Sequence, residues 1–277
     1  MLKKAYIEIT NICNLSCSFC HGTKRAPRYM SPAELLSVME KLKGHTKFVY
    51  FHLLGEPLLH PQLAELLDIS AKAGMRTCIT TNGTLLSEKE DVLLNAEGLH
   101  KVSVSLHSFE ANITGRELYD YLDSVWSVCE RLADKGTVCA LRLWNAGGED
   151  SLNDSITSFI LNKTGTPMQE TRGGYKLRER MYLELASKFD WPDGSAPEAS
   201  VQFCYGLRDQ IGILCDGTVV PCCLDADGSI PLGNIFSDEL TDILNSPRAK
   251  AMYEGFSRRC PTEELCRHCG YAARFSI

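Results

Sequence analysis

The chain has 277 residues, enough for one large domain or for a large and a small one, with a substantial core in either case. Its 29 Lys and Arg stand against 35 Asp and Glu, a formal net charge of -6 that speaks against broad electrostatic binding to a nucleic acid polymer or an anionic membrane. The first ten residues, MLKKAYIEIT, lack the apolar stretch and cleavage site of a secretory signal, and no segment reaches the roughly 20 apolar residues of a spanning helix, so a cytoplasmic location with no membrane partner is expected.

Short β-branched or aromatic runs alternate with longer amphipathic ones over the first two thirds, the pattern of β/α units around a parallel sheet. Strands are predicted at Ala5 to Thr10, Phe48 to Leu53, Arg76 to Thr81, Lys101 to Leu106 and Val138 to Trp144. Between them SPAELLSVMEKLKG reads as a helix, with Ser31 as N-cap, Pro32 at the first helical position and Gly44 as the stop. Residues 61 to 74 and 116 to 136 repeat this form, each closed by glycine. A further helix is predicted at Asn153 to Leu161, then a long loop over 162 to 176, then a helix at about Leu177 to Phe189. DWPDGSAPEAS, residues 190 to 200, is the natural boundary between a domain of residues 1–190 and one of 191–277. Beyond it QIGILCDGTVVPCC reads as a hairpin turning at Asp216-Gly217, followed by a helix near Asp238 to Phe256 and a cysteine-rich end.

Thirteen cysteines in a reducing compartment are not expected to form a disulfide framework, so regularly spaced ones point to metal ligation. Cys78, Cys129 and Cys139 sit in apolar runs and read as small core side chains. Cys13, Cys17 and Cys20 differ: they follow the first predicted strand, on the face where the carboxyl ends of parallel strands gather and such folds place active sites. Spacings of four and three let one tight loop wrap three corners of a cubane, whereas zinc sites more typically use CxxC pairs. Three thiolates leave a fourth iron open.

CNLSCSFC resembles the CxxxCxxC signature of the radical S-adenosylmethionine (SAM) enzymes. The resemblance implies a partial (β/α)6 TIM-type barrel, a [4Fe-4S] cluster whose open iron is chelated by SAM, and reductive cleavage of SAM to a 5'-deoxyadenosyl radical. LLGEP at 53 to 57 is similar to the family's GGEP motif, with Leu54 in place of the first glycine. By the same resemblance Gly55, Glu56 and Pro57 are expected at the SAM amino group, Thr81 and Asn82 of TTNG at the end of the third strand, Ser105 toward SAM, and Phe19 beside the adenine. His107 departs from the acid often seen there and is a candidate to bind or deprotonate substrate, with a structural role as the alternative. His21, His45, His52 and His60 read as structural or solvated.

Cys204, Gly217, Cys222 and the CxxC pair Cys266 and Cys269 resemble the Twitch domain, the shortened relative of the SPASM domain, and imply one auxiliary [4Fe-4S] cluster with four protein ligands in a small C-terminal domain. Structural zinc on the same four cysteines is the rival reading. Cys223 and Cys260 are the competing ligands.

Strand five ends in LRLWN, offering Arg142, Trp144 and Asn145 at the barrel mouth, and ETRGGYKLRER adds Arg172 and Arg178. Arginine forks suit phosphate or carboxylate and tryptophan a planar ring, so Arg142 is a catalytic candidate and Trp144, Asn145, Arg172 and Arg178 are substrate candidates. Solvated charge and core packing are the bland alternatives. The barrel begins at about residue 5, which favours a small-molecule substrate over a leader-bearing peptide. The layout also resembles the queuosine 5'-phosphate (queuine) lyases, implying release of a base from a sugar phosphate. A carbinol dehydrogenase, a peptide maturase and a non-catalytic metal-binding module are the alternatives. Lys24, Arg25 and Arg28 are candidates for substrate phosphate or for an acidic electron donor such as flavodoxin or ferredoxin.

Overall fold

The computed structural model describes residues 1–112, 115, 117–165, 167–193, 198 and 203–275. Among the described residues eleven strands form one sheet. In chain order they are β1 (Lys4–Ile7), β2 (Phe48–Tyr50), β3 (Arg76–Thr81), β4 (Leu99–Ser105), β5 (Val138–Ala146), β6 (Gln169–Thr171), β7 (Gly174–Arg178), β8 (Met181–Ser187), β9 (Gln210–Ile213), β10 (Thr218–Val220) and β11 (Gly233–Asn234). The spatial order is β11-β10-β9-β1-β2-β3-β4-β5-β8-β7-β6. Every pairing from β9 through β8 is parallel, and antiparallel strands flank that array on both sides. Helices α1 (Pro32–Leu42), α2 (Leu63–Lys72), α3 (Glu90–Leu94), α4 (Leu118–Asp134) and α5 (Asn153–Thr164) occupy the crossovers; α6 (Leu240–Asn245), α7 (Pro247–Ser257) and α8 (Glu264–Arg267) follow the last strand. This is the expected partial α/β barrel.

Period-two alternation separates the two faces of the array. Ala5 and Ile7 of β1 and Val102 and Val104 of β4 join Leu35, Val38 and Leu42 of α1 in the main apolar core. The intervening residues, among them Lys4, Tyr6, Lys101 and Ser103, face the barrel interior. The α1 start follows the sequence closely: the Glu34 amide donates to Ser31 Oγ at 3.3 Å and the Ser31 amide to the Glu34 carboxylate at 2.8 Å, a full capping box. The Asp216-Gly217 hairpin is also present, Gly217 at φ +84.

Three expectations are corrected. The helix predicted over Leu177–Phe189 is instead the β7–β8 hairpin, turning at Arg180 with φ +59. Its leucine- and glutamate-rich composition favours helix locally, but pairing of β8 with β5 along six registers wins, burying Met181 and Leu183 on alternate positions. Second, the helix over Asp238–Phe256 is two helices, because Pro247 cannot continue α6 and Ser246 instead caps α7. Third, the 162–176 loop contains β6 and the start of β7. The proposed boundary segment lies partly outside the described residues, and β9 beyond it lies in register beside β1, so the C-terminal segment continues the barrel sheet. Among the described residues no helix is long and apolar enough to cross a membrane.

The turn after β2 brings Gly55 onto the end of the first strand. Its φ is +74, and a Cβ there would lie 2.4 Å from the Thr10 carbonyl oxygen. Backbone strain and a clash with backbone act together, so Gly55→Ala is expected to lower the unfolding free energy by about 3 kcal/mol in chemical denaturation; a change within experimental error would show that the two strand ends can move apart.

Candidate active site

The loop carrying Cys13, Cys17 and Cys20 leaves the end of β1 and returns at Tyr29, which bridges back to Thr10. Asn11 closes its base, donating to the Ala26 carbonyl at 2.9 Å and accepting from the Arg28 amide at 2.8 Å. Each cysteine sulfur accepts one N–H: from the Leu15 amide for Cys13 at 3.4 Å, from Asn112 Nδ2 for Cys17 at 3.1 Å and from the Gly22 amide for Cys20 at 3.5 Å. Donors of this kind favour a thiolate and are what cluster sulfurs accept. Burial pushes the Cys17 thiol up to about 11.

Distant residues hold the loop. Asn112 also accepts from the Ser16 amide at 3.0 Å, and Ser18 donates to Glu149 at 2.5 Å. Asp227 accepts from Thr23 Oγ1 at 2.8 Å and the Lys24 amide at 3.3 Å, while Trp191 Nε1 donates to the Phe19 carbonyl at 2.9 Å. One terminal nitrogen of Arg25 donates to both carboxylate oxygens of buried Glu8, and Arg28 pairs with Glu34. These two arginines are therefore committed inside the chain and are not a free basic patch for substrate or an electron donor.

The three cysteines open onto a cavity of about 270 Å³, walled also by Phe19, Gly55 and Glu56. Thr81, Asn82 and Ser105 reach the same cavity from the ends of β3 and β4. Pro57 does not line it; it is buried as the first residue of a 3₁₀ turn, Pro57–Leu59, capped by Glu56. Glu56 accepts from the Asn82 amide at 2.8 Å and the Leu58 amide at 3.0 Å, yet burial outweighs these donors and raises its carboxyl to about 7. Asn82 spans the cavity edge, donating to Asn14 of the cysteine loop at 2.9 Å.

Beside this cavity lies a second, of about 170 Å³, with Phe19 in the shared wall and His107, Trp144, Lys188, Phe189 and Trp191 around it. His107 is buried, stacks obliquely on Phe19 at 4.8 Å and sits 3.1 Å from the Arg142 carbonyl; burial lowers its pKa. Arg142 donates to Glu184 at 2.9 Å and to Thr80 at 3.3 Å and lies 4.5 Å over the Trp144 ring. Asn145 also lines this second cavity, its amide nitrogen donating to the Glu149 carbonyl and to Asn153. Arg172 lines an open groove on the other side of Trp144. Arg178 reaches neither cavity, being paired with Glu130 at 2.7 Å and with Asp134 on α4, so its place as a substrate ligand is withdrawn. Its position follows from the hairpin that replaces the expected helix.

Two groups were missed in the sequence. Lys188, just after β8, was hidden by the helix assignment, and Trp191 by the reading of residues 190 to 200 as a domain boundary. His52, read as structural, lines the larger cavity, accepting from or donating to Thr80 Oγ1 at 3.3 Å with Nδ1 buried and unpartnered. Burial, reinforced by Arg142 and Lys4, lowers its pKa to about 3, so the imidazole is neutral.

Cys204, Cys222, Cys266 and Cys269 converge on a separate apolar cavity among Phe203, Pro221 and Phe256. Cys223 and Cys260 do not line it: Cys223 faces Tyr6 and Lys4, and Cys260 is exposed. Among the described residues no three His, Cys, Asp or Glu side chains converge tightly enough for a single metal ion. Four thiols at one apolar cavity are a donor set for an iron-sulfur cluster or for zinc. Cys78, Cys129 and Cys139 are buried core residues, as expected.

A family model of the radical SAM superfamily matches residues 7–150, and one of the SPASM iron-sulfur cluster-binding domain matches residues 204–270. GTP 3',8-cyclase of Chlorobaculum tepidum is 34% identical over 162 residues, 56% of this chain and 48% of that protein. The sporulation killing factor maturation protein SkfB of Bacillus subtilis is 24% identical over 265 residues, 86% of this chain and 63% of its own. The chain thus spans less than two thirds of either relative. The structure of BtrN in complex with AdoMet and 2-DOIA aligns with a TM-score of 0.58 at 17% identity, covering 97% of this chain and 93% of that one.

Two measurements follow. Anaerobically reconstituted protein should hold about eight irons, and Cys204→Ala with Cys266→Ala about four; about four irons with one zinc in the unaltered protein would remove the auxiliary cluster. Glu56 binds its proton more tightly folded than unfolded, so its stabilising contribution is full below the ordinary carboxylate range and is lost as pH rises through about 7. Unfolding free energy should fall by up to about 3 kcal/mol between pH 4.5 and 7.5, and Glu56→Gln should flatten that slope.

Proposed function

The chain belongs to the radical SAM superfamily, and from its paired cavities we propose that it abstracts hydrogen from a small, phosphorylated, ring-bearing metabolite. It is a radical SAM enzyme with an iron-sulfur SPASM domain; its cofactors are a [4Fe-4S] cluster with an open iron, an auxiliary [4Fe-4S] cluster and SAM. When bound, these supply a 5'-deoxyadenosyl radical. Cys13, Cys17 and Cys20 would hold the first cluster and Cys204, Cys222, Cys266 and Cys269 the second.

The chain's own residues divide the remaining work. Glu56 offers a carboxylate to an amino group at the cavity floor, and Phe19 a ring face at the wall shared with the second cavity. Trp144 and His107 present flat surfaces beyond that wall, and Trp191 borders both cavities, bonded to the Phe19 carbonyl. The observation that carries the reading is the contact of Arg142 with Trp144, a cation held over an indole that lines the second cavity. That pairing suits a substrate with both a planar ring and an anionic group.

Release of queuine from queuosine 5'-phosphate is the lyase reaction we assign first. The second reading is oxidation of a carbinol on a sugar or cyclitol, favoured by the whole-chain fold likeness to BtrN solved with 2-DOIA. Similarity to SkfB over 86% of this chain keeps peptide modification as the third. Anaerobic incubation with SAM, dithionite and queuosine 5'-phosphate should yield 5'-deoxyadenosine and free queuine, both abolished by Cys17→Ala. A ketone product from a cyclitol, or a peptide crosslink, with no queuine would move the assignment to the other readings; no 5'-deoxyadenosine with any of these substrates would overturn the enzymatic one.

A further inference from the structure

We propose that His107 selects the substrate's ring, its Nε2 accepting a hydrogen bond from a hydroxyl or N–H group on a planar ring held in the second cavity. The proposal rests on the radical SAM reading of the neighbouring cavity and names the group by which the substrate is recognised beside it.

The turn after β4 divides its side chains between the two cavities. Ser105, the last residue of β4, and Ser108 line the larger one, whereas His107, between them in the 3₁₀ turn Leu106–Ser108, lines the smaller. The sheet explains the division. β4 and β5 run in parallel register as far as Ser105 opposite Arg142. Beyond that pair β4 has left the ladder and the His107 ring stands in its place, with Nδ1 3.1 Å from the Arg142 carbonyl and 3.4 Å from the Trp144 amide.

The two contacts ask for opposite tautomers, because a carbonyl only accepts and an amide N–H only donates. Only the first lies within the ordinary length of an N–H···O bond, so the proton belongs on Nδ1. Burial holds the ring below its ordinary pKa, and at neutral pH it carries that one proton. Nε2 is then an acceptor. It has no hydrogen-bond partner among the described residues, and unlike Nδ1 of His52 it is not sealed off, so its lone pair opens onto the cavity that the ring lines.

The other polar groups of this cavity are spent or lie at its mouth. Asn145 is buried, but its amide bonds the Glu149 carbonyl and forms a reciprocal pair with Asn153. Ser18, Glu149 and Lys188 are exposed, Ser18 donating to Glu149 at 2.5 Å. Most of the remaining lining is aromatic, and the one indole N–H of Trp191 is taken by the Phe19 carbonyl. A flat ligand in this space therefore covers His107 Nε2. A ring with a donor at that point satisfies it, and a ring without one leaves a buried acceptor unpaired, which is the stronger source of discrimination.

Phenol and toluene, which share one ring and differ in the donor, test this on the protein with both clusters reconstituted and SAM bound. Each is titrated anaerobically by ligand-observed NMR. The preference for phenol over toluene should fall at least about fivefold in His107→Asn, whose amide nitrogen can replace Nδ1 at the Arg142 carbonyl but which has no atom at the Nε2 position. Toluene affinity should stay within about threefold, showing the cavity intact. His107→Gln places an oxygen near the Nε2 position and gives up the Arg142 contact, so it should keep the phenol preference within about twofold and melt lower than His107→Asn. A histidine that only closes the sheet would leave the preference in His107→Asn unchanged, and that result would overturn the proposal, as would phenol that fails to bind within its solubility. SAM cleavage by dithionite is read in parallel. If 5'-deoxyadenosine forms and the preference does not move, the recognition role alone falls; if the preference moves but no 5'-deoxyadenosine forms with any substrate named above, the radical reading falls and the recognition role stands.

Discussion

The site depends on how closely the ends of the first two parallel strands approach. The Glu56 amide donates to the Ile12 carbonyl at 2.8 Å, immediately before the first cysteine, and Gly55 packs where no side chain fits. One residue on, the Glu56 carboxylate accepts from the Asn82 amide at the end of β3. Three strand ends are thus tied to one short turn, the first by its backbone and the third by the Glu56 carboxylate, and the cysteine loop starts from that tie. A wider gap would admit water beneath Glu56 and remove the desolvation that keeps its carboxyl near neutrality.

The cysteine loop itself has little apolar surface with which to fix its own shape. Cys13 and Cys20 are exposed, and the stabilising contacts are polar and long-range in sequence. Asn112 comes from the region after β4, Glu149 from after β5, and Asp227 from the C-terminal segment. The two cysteine sets therefore solve different problems. The first is held open by hydrogen bonds from many elements, leaving a cavity beside it. The second is packed against an apolar pocket whose wall is completed by Phe203, Pro221 and Phe256. Because Asp227 lies close in sequence to Cys222 and Cys223, the clasp on the reactive loop and the auxiliary site belong to one structural unit.

What was legible in the sequence was local. The spacing of Cys13, Cys17 and Cys20, the LLGEP turn and TTNG all lie at strand ends, and their side chains line one cavity apart from Pro57. The capping box of α1 and the Asp216-Gly217 turn were legible for the same reason, since each is specified by residues within four positions. Arg178 and Lys188 were not legible, because their places depend on whether residues 177 to 189 form a helix or pair with β5. Helix propensity in MYLELAS is genuine, but a strand that completes a parallel array gains pairing partners on both sides, β5 and β7, and that gain is invisible within the segment. The same mistake concealed Glu184, whose inward direction is set only by the strand register opposite Arg142.

His52 shows the other limit. A lone histidine in FHLLGEP carries no signal that separates a packed ring from a cavity-facing one. Its surroundings come from β1, β3 and β5, through Tyr6, Thr80 and Arg142. The barrel interior is assembled entirely in this way, one residue from each strand, with no contiguous motif. Its polarity also removes it from the account of stability: Ile7, Val49, Ile79 and Val104 on the outward faces join the helices in the apolar core, so the fold does not require the inward residues to be apolar. Lysine, arginine and glutamate can then occupy the interior without competing with the core, as Lys101, Arg142 and Glu184 do. A barrel of this kind keeps the same frame while its interior changes, which is why the cysteine motifs identify the chemistry and the period-two residues between them must be read to identify the substrate.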